Sequence, residues 1–135
     1  MLDNLCPLTL NMYYRCGSDN EEVFSLEKLP SLPTTPTISK VVISNCIATG
    51  SRSSAAFIVG LPEEPITDLR IENCSFGVAS KNLEPVEDSE MAQGLPSLTG
   101  RGMRLRNVEL RVQGLEVTGV EEPLVREEGV TVSEV

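Results

Sequence analysis

Residues 60–76, GLPEEPITDLRIENCSF, open with an acidic turn bracketed by Pro62 and Pro65 and continue into an apolar alternation through Ile66, Leu69 and Ile71. The alternation ends at Asn73-Cys74, after which the apolar rhythm restarts. Residues 38–50, ISKVVISNCIATG, end the same way, at Asn45-Cys46. The two segments superpose at one offset of 28 residues: Ile38 on Ile66, Val41 on Leu69, Ile43 on Ile71, Asn45 on Asn73 and Cys46 on Cys74. A third copy is read in MRLRNVELRV, residues 103–112, at an offset of 34 that places Leu105, Asn107 and Val108 on Ile71, Asn73 and Cys74. A weaker first copy, CPLTLNMYY, carries Asn11.

Self-similarity at this period, with extra length confined to polar stretches, marks a stacked repeat. Period-2 alternation on either side of each asparagine makes the repeating unit β. Asparagine tolerates the left-handed region, which suits a sharp one-residue bend between strands. The expected fold is therefore all-β, a right-handed parallel β-helix of about four coils and a C-terminal cap. Asn11, Asn45, Asn73 and Asn107 are expected to form a ladder of side-chain amides at equivalent bends. Cys46, Cys74 and Val108 would follow the bends as small inward hydrophobes. The alternative is an antiparallel β-sandwich, which also needs many short strands.

The 135 residues amount to one domain, with an ordinary apolar content of 40%. No run approaches the about 18 apolar residues that span a bilayer, and the residues MLDNLCPLTL do not have the basic n-region of a signal peptide. The net charge of −9 argues against nucleic acid and means that an acidic ligand needs a local basic site. There is no histidine and no CxxC pair, so neither a structural zinc site nor histidine-based nucleophilic catalysis is expected. No cofactor is implied.

PLTLNMYYRC, ISNCIATG and AAFIVGLPEEPITDLRIENCSF together resemble the C-terminal part of family 28 glycoside hydrolases, the polygalacturonase-like enzymes of the pectin lyase-like parallel β-helix class. The likeness runs from about Pro7 to about Leu124. It implies descent from a glycosidase acting on pectin-type galacturonide. The family's Asn-Thr-Asp, Asp-Asp, Gly-His-Gly and Arg-Ile-Lys motifs do not occur, so the chain is expected to lack catalytic residues and to be inactive alone. It would correspond to the last coils of a longer enzyme. The alternative is a standalone solenoid serving as a carbohydrate-binding or interaction module. In the family a tyrosine ending the first strand lines the sugar cleft; the resemblance places that role on Tyr14, with Tyr13 as its neighbouring alternative.

Other features read as scaffold. Adjacent glutamates, such as Glu63-Glu64, point to opposite sides of an extended chain and rarely make one catalytic pair. Arg104 and Arg106 alternate with Met103 and Leu105, which places them on one outer, solvated face. Cys6 and Cys16 are near enough in sequence to bridge, though spacing does not decide it. Two long loops, residues 17–37 and 80–99, exceed ordinary connections. The segment PLTLNMYY is apolar and nearly uncharged, so self-association through an uncapped first coil is expected.

Overall fold

The computed structural model describes residues 2–13, 26–28, 30, 35–89 and 95–134. Tyr14, Cys16 and most of the 17–37 loop lie outside these residues. The described chain is all-β, with two parallel sheets and a single short 3-10 turn at Val86–Ser89. Strands β1 (Thr9–Asn11), β4 (Ala56–Val59), β6 (Met103–Arg106) and β8 (Leu124–Arg126) make the first sheet, in that order. The second runs β2 (Ser39–Ser44), β5 (Ile66–Val78), β7 (Val108–Thr118) and β9 (Val130–Glu134), with β3 (Ile47–Ser51) also pairing with β5. After β3 the chain visits the sheets alternately, and each return adds a strand beside the previous one. Every pairing among the described strands is parallel, which an antiparallel sandwich does not allow.

The 28-residue offset is the register that β2 and the start of β3 keep with β5. Val41 pairs with Leu69, Ile43 with Ile71, and Ala48 with Phe76. Between these rungs Asn45 (φ 56°) and Asn73 (φ 52°) adopt the left-handed conformation, and Asn73 Nδ2 donates to Asn45 Oδ1 at 2.8 Å. The bend shifts the inward phase by one residue. Leu69 and Ile71 are buried before it, Cys74, Phe76 and Val78 after it, and Asn73 itself is exposed. A neighbouring strand without the same bend would turn its apolar set outward, since a one-residue slip exchanges the faces of a strand.

The third copy falls elsewhere than at an offset of 34. Ile71 pairs with Val112, Cys74 with Leu115 and Phe76 with Val117, an offset of 41 (Ile71 to Val112). The residue stacked on Asn73 is thus Gly114, left-handed at φ 65°, and Leu115 follows the bend where Val108 was expected. Asn107 is also left-handed, φ 49°, but forms the corner between β6 and β7. There its Nδ2 donates to Gly60 O at 3.1 Å, while its backbone N–H donates to Glu128 O and its carbonyl accepts from Ile66 N–H. Asn11 ends β1 opposite Val59, and its Oδ1 accepts from Tyr13 N–H at 2.8 Å. The amide pair therefore joins Asn45 and Asn73, while Asn11 and Asn107 serve other turns.

The core lies between the sheets. Ala56, Ile58, Met103 and Leu105 from the first sheet meet Leu69, Ile71, Phe76 and Leu110 from the second. Phe57 and Val59 point to the opposite side of β4 and are also buried, packed with Tyr13 and Leu61. The first sheet is thus covered on both faces at β4, whose sequence AFIV reads as a continuous apolar run for that reason. The second sheet keeps a polar outer face. Its edge strands β2 and β3 carry the exposed Val42 and Ile47.

Gly114 offers a direct check of the bend. A Cβ there would come no closer than 3.5 Å to Asn73, and its φ suits asparagine. Gly114→Asn is expected to be tolerated, raising stability by up to about 1 kcal/mol through reduced freedom of the unfolded chain. A Cβ on Gly60 would lie 2.4 Å from Asn107 O and 2.8 Å from Ile66 N, both backbone atoms. Gly60→Ala should therefore destabilise by about 1–3 kcal/mol. Urea unfolding of the two variants distinguishes these outcomes.

Candidate functional site

Two polar clusters stand out, one closed and one open. The closed cluster lies on the outer side of the first sheet. Alternation along β6 sends Met103 and Leu105 into the core and Arg104 and Arg106 outward, but outward is not into solvent. Arg104 is 2% exposed and Arg106 5%. Arg104 stacks on Phe57 in the neighbouring strand, 5.7 Å from guanidinium carbon to ring centroid. Its Nη2 donates to Pro96 O at 2.8 Å, so the end of the second long loop covers it. The Glu127 backbone N–H donates to Leu105 O, and its carboxylate sits between the two arginines. Oε1 accepts from Arg104 Nε, and Oε2 accepts from Arg106 Nη1 at 2.7 Å. The expected solvated face is in fact a buried ion-pair triad, because loop residues and Tyr13 cover the sheet there.

Tyr13 is fully buried beside this triad, so its ring offers no face to a sugar. Burial raises the phenol above its ordinary value near 10; the Arg106 charge opposes the rise, and Glu63 and Glu127 add to it. Tyr14, the first choice for a sugar-stacking residue, lies outside the described residues. Glu63 is half-buried, with Oε2 shielded and lacking a hydrogen-bond partner among the described residues, as does Arg106 Nε. The turn between Pro62 and Pro65 is thus only partly solvated. Cys6 is a free thiol and donates to Leu8 O at 3.4 Å.

The open cluster lies on the outer face of the second sheet. Register sets Arg70 of β5 beside Arg111 of β7, and Glu72 beside Gln113. Arg70 forms a 3.2 Å ion pair with Asp68, which stands at the left-handed bulge in β5. Arg111 is exposed and carries no ion pair among the described residues. Arg70, Glu72, Arg111, Val112 and Gln113 line a shallow groove. It continues past the bend, where Ser44, Asn45, Asn73 and Gly114 line the next depression. Like charges on adjacent rungs repel, and an anion between them would remove that cost. The groove offers guanidinium donors for a carboxylate, and amide and carboxylate groups for hydroxyls.

Sequence reasoning passed over this pair because it aligned the third copy at the wrong offset. Leu69-Arg70-Ile71-Glu72-Asn73 and Leu110-Arg111-Val112-Gln113-Gly114 match rung for rung, and that match was the available signal. Among the described residues no group of three or more histidine, cysteine or acidic side chains gathers to hold a metal. Comparison with protein-family models, curated proteins and solved structures finds no match.

The triad makes two predictions. Glu127→Gln leaves two buried guanidinium groups without their shared counter-charge and should destabilise the fold by about 3–5 kcal/mol in urea unfolding. Tyr13 gives a pH dependence. Its folded value is raised, so the stabilisation is complete below the unfolded value near 10 and is lost as pH rises through the higher folded value. In Tyr14→Phe, which leaves one tyrosine, ultraviolet titration should show phenolate forming only above pH 10, together with loss of structure.

Proposed function

We propose that the chain is a right-handed parallel β-helix akin to the last coils of a family 28 glycoside hydrolase, and that it holds pectin-type galacturonide without cleaving it. The observation that carries the binding part is the Arg70–Arg111 row on the open face of the second sheet. The chain's −9 charge repels a polyanion at long range, so such a ligand needs local cations. A uronate carboxylate matches guanidinium geometry, and the nearby Asn73 and Gln113 amides suit ring hydroxyls. The alternation of the chain between two parallel sheets, with insertions confined to the connections, supports the β-helix.

Absence of cleavage rests on chemistry. Inverting hydrolysis uses a carboxylic acid and a base carboxylate roughly 6.5–9.5 Å apart, with room for water between. The family's aspartate motifs are missing from the sequence. Glu127 is engaged through both oxygens by arginines, so it is not free to act as a base.

Titration calorimetry with oligogalacturonate, paired with a reducing-end assay on polygalacturonate, tests both parts. Binding should weaken at least about tenfold in Arg111→Ala, as expected for loss of charge-assisted hydrogen bonds. It should also weaken with salt, and no reducing ends should exceed a buffer blank. Binding indifferent to Arg111→Ala contradicts the site. Reducing-end release abolished by Glu63→Gln contradicts the absence of cleavage.

A further inference from the structure

Cys46 and Cys74 each follow a left-handed asparagine, and the bends bring them onto one rung. The hydrogen bonds Asn45 N–H to Glu72 O (3.1 Å) and Ser75 N–H to Cys46 O (2.9 Å) bracket the pair. Ser44 faces Glu72 on one side and Ile47 faces Ser75 on the other, so Cys46 lies opposite Cys74. Each thiol donates to the carbonyl two residues back on its own strand, Cys46 to Ser44 O at 3.4 Å and Cys74 to Glu72 O at 3.3 Å. The two side chains therefore take the same orientation toward the core. Cys74 Sγ also approaches Ile43 O on β2 at 3.6 Å, leaning toward the strand that carries Cys46. Both are free thiols.

Neighbouring strands stand about 4.8 Å apart, inside the about 4.4–6.8 Å range of Cα separations that a disulfide bridges. The next rung carries Leu115, so the thiols form a pair rather than part of a longer cysteine row. Cys46 lies on the edge of the sheet and is half-buried, while Cys74 is 3% exposed and its thiol is pushed up by burial. A groove lined by Asn45, Ile47, Asn73, Ser75 and Gly114 reaches Cys74 from outside.

We propose that Cys46 and Cys74 are a redox modification site, closing into a cross-strand disulfide by exchange with a small-molecule disulfide such as oxidised glutathione. The more accessible Cys46, as thiolate, attacks one sulfur of the small disulfide. A mixed disulfide forms and one thiolate leaves. Cys74 then loses its proton and attacks Cys46 Sγ, forming the protein disulfide and expelling the second small thiolate. The two protons lost by the protein appear on two molecules of small thiol, and the small disulfide is the species reduced. The cross-link ties the edge segment β2–β3 to β5 and closes a loop through the 60–65 turn.

Incubating the full chain with oxidised glutathione and mapping its peptides by mass spectrometry tests the site. The expected product is a Cys46 peptide joined to a Cys74 peptide, lighter by two hydrogens than the sum of the reduced pair, with a higher melting temperature that dithiothreitol reverses. Cys74→Ser should accumulate glutathione on Cys46, and Cys46→Ser should leave Cys74 unmodified. The wild-type mapping needs no substitution, so a variant that fails to fold leaves the test intact. Both thiols staying free while Cys6 reacts would overturn the proposal. So would separate glutathione adducts on Cys46 and Cys74, or linkage of Cys46 to a second copy.

Discussion

The left-handed bend stacked at Asn45, Asn73 and Gly114 is the constraint on which the rest depends. Each bend moves the inward phase of its strand by one residue, so neighbours stay in phase only if all bend at the same rung. Once they do, Leu69, Ile71 and Phe76 find apolar partners above and below, and Arg70 and Glu72 face outward together. The amide bond from Asn73 to Asn45 adds a modest increment. Its larger effect is on register, because a shifted strand would lose that bond and expose its apolar set. Where no third asparagine exists, glycine satisfies the same backbone demand without a side chain.

The two arginine pairs show how one alternation yields opposite electrostatics. Arg104 and Arg106 project from the first sheet into a space closed by Tyr13, Leu61 and the segment at Pro96. Charges taken out of water there require a counter-charge, and Glu127 meets both. Arg70 and Arg111 project from the second sheet into solvent, where water screens them and each costs little. The first arrangement holds the fold together; the second leaves donors available to a ligand. The same register places Cys46 opposite Cys74, so the bend organises the outer arginine row and the thiol pair together.

Much of the fold was legible in the sequence, and the failures have specific causes. The repeated Asn-Cys ending gave the true register of β2 and β5, because a residue-for-residue match at constant spacing is difficult to produce otherwise. The third copy was misplaced because MRLRN ends in an asparagine. Asn107 shares the backbone conformation of Asn73, but it turns the corner between the sheets. The correct match, ELRVQG, has glycine at the bend and leucine for cysteine, so a search for asparagine missed it. Burial of Arg104 and Arg106 was not legible, since it depends on loop residues distant in sequence. Tyr13 was placed near a ligand by resemblance, and the packing of Leu61 and Met12 around it encloses it instead.

The most direct measurement of the register is a set of cross-strand backbone nuclear Overhauser contacts in the labelled chain. The stacked bend predicts contacts characteristic of parallel strands, linking residues around Ile43 with those around Ile71, and residues around Ile71 with those around Val112. Contacts joining Ile71 to Leu105, or the close α-proton pairs of antiparallel strands at Ile43 and Ile71, would contradict it.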